Sequence, residues 1–335
     1  MARNLFVGRN LDVLKGIKTL ASKELTRVME GKLKIKPGSD WTKSLENKYH
    51  NLPISTLLDG KDFLDASTWL YPAHRKDIEL IFAAKKKYGI HTVITIEGIG
   101  SGKTLKNMLI KWIEIYRTLT LVDPQVFYGM APGTVLAYVL MSRTESHARK
   151  VTFRKLLPLF DCPFFNEYFP PQIDFIKIAN SRRYPALLEF PKNVVVFPGT
   201  GSAASALGYD ILGAAIDEAN YLEVTSASKK SVAGEVYDAA ESMHFEIFGR
   251  MSSRFLEKGK DLPGIISMFS NPRYVGDFLE RRIAKANLIK IDDERWIDPA
   301  AKIFFVRRPT WKAKSHKFGK EMFKFDVQNL KVIEN

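Results

Sequence analysis

The sequence contains a single cysteine, Cys162, among 335 residues. One thiol excludes an internal disulfide and a cysteine-rich zinc site, and its simplest interpretation is a small buried apolar residue. No run of 18 apolar residues occurs, so we expect no segment that spans a membrane. The first residues also lack the apolar core of a signal peptide, and we therefore expect a cytoplasmic protein.

Acidic residues are fewer than basic ones, with 37 Asp and Glu against 51 Lys and Arg and a net charge of +14. The excess lies at the two ends. Residues 1–37 carry nine basic and three acidic side chains, a net +6, and residues 301–335 carry the same numbers. This distribution predicts contacts with a polyanion. For either end alone, a solvated surface or a flexible tail is the alternative.

The stretch His91–Thr104, HTVITIEGIGSGKT, contains the most informative motif. Its β-branched run Thr92–Ile96 predicts a buried strand, and a glycine-rich turn follows at once. A helical pattern then begins, with Leu105, Met108, Leu109, Trp112 and Ile113 on one face. Strand, glycine-rich turn and helix are the context that a phosphate-binding loop requires.

Each part of this loop has a chemical role. The predicted ATP-binding residues are Gly98, Ile99, Gly100, Ser101, Gly102, Lys103 and Thr104. Glycines let the backbone direct its N–H groups at an anion, and the helix N-terminus adds partial positive charge. Lys103 can reach the β- and γ-phosphates, and the Thr104 hydroxyl can ligate Mg²⁺. The consensus GxxxxGK[ST] has glycine where this chain has Glu97, and the alternative is a strand-to-helix turn with an exposed lysine.

A second candidate element is the stretch Tyr209–Glu218. The small apolar run Ile211–Ile216 predicts a central strand buried on both faces. It ends in two acids, of which Asp217 can hold Mg²⁺ through water and Glu218 can polarise the attacking water. We therefore predict Glu218 and Lys103 as catalytic residues. A helix-capping aspartate beside a surface glutamate is the alternative.

Two weaker features complete the candidate site. The apolar strand Gly264–Phe269 ends at Ser270 and Asn271, which could sit beside the γ-phosphate and report its loss; a plain turn is the alternative, since Asn-Pro favours turns. The pair Tyr71-Pro72 lies about 30 residues before the phosphate loop. It could pack on an adenine or serve as an ordinary core aromatic and helix start.

The remaining patterns alternate helices and strands, which predicts an α/β fold with a mostly parallel sheet covered on both faces. We divide the chain into a basic N-terminal segment (1–64), a P-loop ATPase domain (65–310) and a basic extension or linker (311–335). The predicted helices are Leu11–Leu33, ended by Lys36–Asp40, then His74–Lys87, Arg143–Phe160, Ser231–Glu257 and Arg273–Ala286. The further predicted strands are Gln125–Met130, followed by a turn and a helix, then Phe175–Ile178 and Ala186–Phe190 within an insertion at 161–192, Asn193–Phe197 and Lys302–Val306.

Three motifs in order carry a family resemblance. EGIGSGKT (97–104), SALGYDILGAAIDEAN (205–220) and SNPRYVGDFLERR (270–282) resemble the ATPase domain of a viral large terminase, the motor that packages DNA into an empty procapsid. The resemblance covers residues 65–310 and implies a P-loop NTPase core of the ASCE, RecA-like type. It implies the Walker A role for Lys103 and Thr104, the Walker B and catalytic roles for Asp217 and Glu218, and the coupling role for Ser270-Asn271. Tyr71-Pro72 matches the adenine motif only loosely.

The same resemblance implies cofactors and partners. The cofactors are ATP and Mg²⁺, with Thr104 and Asp217 as the metal-binding residues. The partners are double-stranded DNA, a viral portal and a small terminase subunit, with no membrane. A homo-oligomeric ring is implied for the active state, and a monomer for the isolated chain is compatible with it. The implied location is the cytoplasm of an infected host cell.

The sequence departs from the family pattern at three points. Many large terminases carry an arginine inside the loop, where Ile99 stands here, and the usual slot for a trans-acting arginine reads Ser205-Ala206-Leu207. The candidate arginine fingers are Arg143, Arg149, Arg154, Arg250 and Arg254, each with a surface or DNA-phosphate contact as its alternative. Terminases usually continue into a nuclease, and no later acidic cluster follows here, so we expect no nuclease activity from this chain.

Two other functions remain open from the sequence. One is another P-loop DNA motor, such as a helicase or a remodeller. The other is a basic nucleic-acid-binding scaffold with a degenerate phosphate loop, against which the intact Lys103, Thr104, Asp217 and Glu218 argue.

Overall fold

A computed structural model describes residues 46–178, 182–199, 209–222, 224–225, 237–257 and 259–318, and the backbone of two short strands near the C-terminus. The predicted helix Leu11–Leu33 and its end at Lys36–Asp40 lie outside these residues, as does Ser205-Ala206-Leu207. Within the described residues, no helix has the length and apolarity needed to cross a membrane.

The centre of the fold is a ten-stranded sheet with the order β10-β11-β12-β1-β9-β6-β2-β5-β4-β3. Its middle strands, from β12 to β5, pair in parallel, and an antiparallel pair extends each edge. The strands are β1 Thr92–Glu97, β2 Leu136–Met141, β3 Gln172–Ile178, β4 Arg182–Phe190, β5 Val194–Gly199, β6 Asp210–Asp217, β7 Val224–Thr225, β8 Tyr237–Asp238, β9 Ile266–Ser270, β10 Ile289–Asp292, β11 Arg295–Asp298, β12 Ile303–Arg308, β13 Lys324–Asp326 and β14 Lys331–Ile333. β7 pairs with β8 and β13 with β14 outside the main sheet.

Helices cover the sheet, and every residue of β1, β2, β5 and β9 is therefore buried. Strands buried on both faces read as near-continuous apolar runs, which is the pattern of β2 and β5, while β1 and β9 also contain buried Thr, Glu or Ser residues. The α-helices are α1 Ile54–Asp59, α2 Pro72–Tyr88, α3 Lys103–Leu119, α4 Pro124–Phe127, α5 Glu145–His147, α6 Arg154–Leu156, α7 Pro163–Tyr168, α8 Ala239–Phe255, α9 Phe278–Ala284 and α10 Thr310–Ala313. A π-helix, Ala148–Phe153, joins α5 to α6, and 3₁₀ turns occur at Leu157–Phe160, Pro191–Asn193, Ala219–Tyr221 and Ser315–Lys317.

The expected α/β class with a mostly parallel sheet is confirmed. The helix after the phosphate loop, the strand ending in the acidic pair and the helix that starts at Pro72 all form as predicted. In the insertion, the backbone of β3 and β4 confirms the two predicted strands. Asn193–Phe197 and Lys302–Val306 are also strands, within one or two residues of the predicted ends.

The predicted strand Gln125–Met130 and the helix after it are wrong. Asp123 accepts a hydrogen bond from the Val126 N–H at 3.0 Å, and Pro124 occupies the first helical position, so this segment begins as a short helix. The strand is instead Leu136–Met141. Its run Leu-Ala-Tyr-Val-Leu-Met has no clear periodicity, and only pairing between β5 and β6 selects the extended form.

Other predicted helices are shorter than the sequence indicated. The helix expected from Arg273 begins at Phe278, because Asp277 caps it by accepting from the Glu280 N–H at 3.1 Å. The helix expected from Ser231 begins at Ala239, after the capping residue Asp238, and residues 231–236 lie outside the described part. The β10–β11 hairpin, which extends one edge of the sheet, was not predicted.

A cluster of buried charges links α2, β1, α3, β11 and β12 beneath the phosphate loop. The Lys106 ammonium donates to Glu97 at 2.6 Å and to Asp77 at 2.9 Å, and none of these three side chains is exposed. Asp77 also accepts from Arg295 at 2.6 Å and from Arg308 at 2.7 Å. Buried charges remain ionised only when they are paired in this manner.

Glu97, which replaces the consensus glycine, therefore has a structural role as a member of this buried cluster. It lies 3.3 Å from the His74 ring and 3.7 Å from the Arg308 guanidinium. Burial alone would raise the pKa of Glu97, but Lys106, His74 and Arg308 outweigh burial and hold that pKa well below its usual range. A carboxylate at this position connects the strand before the loop to its flanking helices.

We predict that Lys106→Met destabilises the protein by about 3–5 kcal/mol, because it leaves Asp77 and Glu97 buried without their shared cation. Urea denaturation measures the change in the free energy of unfolding. Lys76→Met is the matched control, since Lys76 pairs with Asp292 at the surface and should cost less than about 1 kcal/mol.

The double variant Lys106→Met/Glu97→Gln removes one buried charge of each sign. It should recover part of the loss if the cluster acts as a unit. Equal small losses in Lys106→Met and Lys76→Met would contradict the assigned role of the cluster.

Candidate nucleotide-binding and hydrolysis site

The sheet brings four loops to one edge, because the carboxyl ends of parallel strands lie together. These are the loops that follow β1, β2, β6 and β9. The strands are neighbours in the order β1-β9-β6-β2, so the loops lie side by side. Ligands of open α/β sheets bind at this edge.

The phosphate loop has the backbone that its glycines permit. Gly100 and Gly102 have φ values of +73° and +96°, which favour glycine, and α3 begins at the next residue. A side chain at Gly102 would also meet the His74 ring at 2.9 Å. On the other side, the Thr310 hydroxyl donates to the Ile99 carbonyl at 3.0 Å and packs against Gly98. Both sides of the loop are thus held by neighbouring elements.

Lys103 reaches from the start of α3 to the end of β9. Its ammonium donates to the Asn271 side-chain oxygen. Burial lowers the pKa of Lys103, while the nearby Asp217 and Glu97 carboxylates act in the opposite direction. An ammonium has three N–H donors, so two remain for phosphate oxygens beside the contact with Asn271.

Asp217 lies opposite the start of α3. Its carboxylate accepts from the Thr104 hydroxyl at 3.5 Å and from the Thr152 hydroxyl at 3.3 Å. Burial raises the pKa of Asp217, and the adjacent Glu218 carboxylate raises it further; the Glu218 N–H and Lys103 oppose this. A bound cation would favour the ionised form of this carboxylate.

This donor set fits Mg²⁺. Hydroxyl and carboxylate oxygens are the ligands that Mg²⁺ prefers, and the ion commonly takes one or two protein oxygens while retaining several waters. Thr104 and Asp217 are the residues that would hold it. Among the described residues, no group of three or more His, Cys, Asp or Glu side chains forms a metal site, so a magnesium ion here would also need ligands from water or phosphate.

Glu218 follows directly after β6 and adopts a left-handed backbone, with φ of 55° and ψ of 37°. Such a conformation is strained for a residue with a side chain and is frequent at functional sites. About a third of the Glu218 side chain is exposed, and one of its oxygens lies 3.6 Å from Nε2 of His147. The carboxylate is therefore open to water at the predicted position of the general base.

Ser270 and Asn271 also lie at this edge. Ser270 Oγ accepts from the Asn220 backbone N–H at 3.3 Å, and the Asn220 side chain donates to the Asn271 carbonyl at 3.0 Å. The same side-chain amide donates to Asp277 at 2.6 Å. The end of β9 is therefore joined both to Lys103 and to the turn after the acidic pair, although the coupling role itself stays a prediction.

Tyr71 lies beside the phosphate loop, since a side chain on Gly102 would come within 3.5 Å of its ring. The ring contacts those of His74 and His316 at 5.5 and 5.3 Å between centroids. Pro72 is exposed and begins α2. This location is compatible with the predicted adenine contact, which stays a prediction.

The five candidate arginines fall into two groups. Arg143, Arg149 and Arg154 lie on the segment that follows β2, at the same edge as Asp217. Arg149 is buried and paired with Glu145, whereas Arg143 and Arg154 are exposed. Arg250 pairs with Glu246 on α8, and Arg254 pairs with Asp210 at the amino end of β6, away from this chain's own site. A role across a subunit boundary stays a prediction for each.

The structure adds three residues that sequence reasoning missed. Thr152 contacts Asp217, His147 contacts Glu218, and Asn220 joins the loops after β6 and β9. Thr152 and His147 lie on a segment interrupted by the π-helix, a feature frequent at functional sites that no periodicity reveals. Asn220 lies two residues beyond the predicted base, and its proximity to the motif was the only available signal.

A parallel α/β sheet with a phosphate loop between β1 and α3, and an acidic pair at the end of β6, defines the class: this is a P-loop NTPase, a nucleotide hydrolase in general terms. The chain belongs to the family described as the N-terminal P-loop domain of the uncharacterized protein MJ0330, whose sequence model matches residues 75–332. A comparison with curated proteins finds no match.

Solved structures similar to the chain include large terminases. That of a thermophilic bacteriophage, solved in complex with ADP, shares 12% identity over 73% of this chain and 47% of its own, with a TM-score of 0.41. The large terminase of bacteriophage HK97 shares 14% identity over 68% of this chain and 39% of its own, with a TM-score of 0.41. The ATPase domain of the Thermus phage P74-26 large terminase shares 10% identity over 68% and 79%, with a TM-score of 0.39. The chain thus spans half or less of the length of the first two proteins.

We predict that Thr152→Val raises the Mg²⁺ concentration needed for half-maximal ATP turnover by about tenfold, because Asp217 loses a hydroxyl that orients it. A Mg²⁺ titration at saturating ATP measures the effect. Thr95→Val is the matched control, since the Thr95 hydroxyl is buried and has no hydrogen-bond partner within the described residues. Identical titrations for both variants would show that Thr152 does not orient the acid.

Proposed function

We propose that this chain is an ATP-hydrolysing motor that translocates double-stranded DNA into a viral procapsid. The observation that supports hydrolysis best is the meeting of Lys103, Thr104, Asp217 and Glu218 at one edge of the sheet. The order and spacing of the three motifs support the specific motor. Because the chain spans half or less of two similar large terminases, the activity of a whole terminase is itself part of the proposal.

The chemistry assigned to the site is attack of water on the γ-phosphorus of ATP. Glu218 takes a proton from that water as its oxygen bonds to phosphorus, and the bond to the β-phosphate oxygen breaks. Lys103 and the N–H groups of the loop neutralise charge on the phosphates. Thr104 and Asp217 would hold Mg²⁺, which would supply further positive charge beside the phosphates.

Contact with DNA is supported by charge near the site. Arg143, Arg154 and Lys155 are exposed on the segment after β2, and no ion pair of these three side chains occurs within the described part of the chain. Phosphate backbones are bound mainly by such cations, with a strong dependence on salt. The proposal includes a ring of subunits, in which an arginine of one chain completes the site of the next.

We predict that two substitutions separate binding from hydrolysis. Lys103→Ala should abolish turnover and weaken nucleotide binding, because it removes the cation directed at the β- and γ-phosphates. Glu218→Gln should retain nucleotide binding and lower turnover by about 10²–10⁴-fold, because it keeps the shape and removes the base. Malachite-green phosphate release and fluorescent-nucleotide titration measure the two properties. Normal hydrolysis by Glu218→Gln would assign the base elsewhere.

We predict that duplex DNA stimulates ATP turnover and that the protein displaces a third strand from a triplex without separating the duplex. A motor that follows double-stranded DNA removes an obstacle and leaves base pairs intact. Displacement should require ATP, vanish in Lys103→Ala and weaken as salt is raised.

Two other outcomes of the same assays favour the alternatives. Unwinding of a forked duplex would indicate a helicase. DNA binding without turnover in the wild-type protein would indicate a scaffold with a degenerate loop. Failure of DNA to affect an active enzyme would remove the DNA motor and leave only the nucleotide hydrolase.

A further inference from the structure

His147 lies beside the predicted base and is carried by the segment that follows β2. Its Nε2 lies 3.6 Å from Oε1 of Glu218, within ion-pair distance and just beyond hydrogen-bond length. Its Nδ1 lies 2.8 Å from the Ser142 hydroxyl. Catalytic hydrogen bonds are often long in unliganded structures and shorten once the substrate binds. The ring therefore has one fixed partner and one partner within reach.

The segment that carries His147 is itself fixed against the acidic pair. Thr144 caps this segment by accepting from the His147 N–H at 3.1 Å. Five residues further on, the Thr152 hydroxyl donates to Asp217 at 3.3 Å. These two contacts fix the backbone that carries His147, and the Ser142 contact fixes its ring. The imidazole is therefore held facing Glu218.

We propose that His147 is the positioning residue of Glu218, holding the carboxylate at the location where it accepts a proton from the attacking water. This inference rests on the proposed ATP hydrolysis. Glu218 needs such a partner because its backbone is strained and its side chain is part-exposed, and neither feature fixes the direction of the carboxylate. Catalysis by a general base requires that direction to be maintained.

The imidazole can donate to Glu218 in either protonation state. If Nδ1 accepts from the Ser142 hydroxyl, Nε2 carries the proton and is the donor; if both nitrogens are protonated, Ser142 accepts and Nε2 still donates. Ser142 therefore fixes the orientation of the ring and leaves Nε2 for the carboxylate. In the other neutral tautomer, Nδ1 would donate to Ser142 and an unprotonated Nε2 would face the carboxylate; because a carboxylate only accepts, its proximity favours the tautomer with the proton on Nε2.

A second histidine, remote from the site, also lies between a hydroxyl and a carboxylate and serves as a control for His147. His50 lies between the Thr120 hydroxyl, 3.0 Å from Nδ1, and a carboxylate oxygen of Glu46, 3.6 Å from Nε2. Thr120 follows the last residue of α3, and that helix has 17 residues, so about 25 Å separates its two ends. His50→Ala therefore removes the same local contacts without touching the acidic pair.

The test compares four variants in steady-state ATP hydrolysis. His147→Ala should lower kcat by about 10–100-fold with little change in KM for ATP, because a supporting contact is lost while phosphate binding remains. His147→Gln should restore most of the rate, since its amide can donate from near the position of Nε2. His147→Asn, which reaches Ser142 but not Glu218, should stay low. His50→Ala should keep the wild-type kcat.

Thermal unfolding of each variant separates folding from catalysis, and the melting temperatures of the His147 variants should stay close to that of the wild type. A wild-type kcat in His147→Ala, or an equal loss in His147→Gln and His147→Ala with unchanged melting, would overturn the proposal. A higher KM for ATP with an unchanged kcat would overturn it too. An inactive wild-type protein would instead reject the proposed function, and a wild-type rate in Glu218→Gln would reject the assignment of the base.

Discussion

The buried pairing of Lys106 with Asp77 and Glu97 is the interaction on which the rest of the structure depends. Removing these charges from water carries a large desolvation cost, and only their close mutual contacts offset it. The pairing joins α2, β1 and α3, and Arg295 and Arg308 extend it into β11 and β12. The elements that flank the phosphate loop therefore have one allowed arrangement, since a shift of any one of them would leave a charge unpaired in the interior.

This constraint gives a reason for the glutamate at the first position of the motif. A glycine there would supply flexibility, whereas Glu97 supplies an anion that fixes Lys106 one turn into α3. The conformational freedom that the loop needs comes instead from Gly100 and Gly102. Both have positive φ values, which glycine adopts without the steric cost that a side chain would add. Rigidity beneath the loop and freedom within it are thus assigned to different residues, and the departure from the consensus leaves the expected loop geometry intact.

The sequence was sufficient to predict an element wherever its local pattern of apolar residues matched its place in the folded sheet. The apolar runs before the phosphate loop and before Asp217 could be predicted as strands, because a short, mostly apolar run is the sequence pattern of a strand buried on both faces. It was insufficient where distant contacts decide the outcome: Leu136–Met141 is a strand only because β5 and β6 lie beside it. The partners of the acidic pair could not be predicted for the same reason, since Thr152 approaches Asp217 across 65 positions of sequence.

The positions of these partners explain how one edge of the sheet can act as a unit. Asn220 forms hydrogen bonds with both Ser270 and Asn271, and its side chain accepts from the Leu279 N–H at 3.1 Å. This one residue therefore joins the turn after the acidic pair to the end of β9 and to the start of α9. Asn271 in turn contacts Lys103. A displacement at any of these strand ends must therefore break a buried hydrogen bond or move the others with it. The network combines hydroxyl, amide, carboxylate and ammonium groups, so the end of β9 holds a fixed position relative to Lys103 and to the turn after the acidic pair.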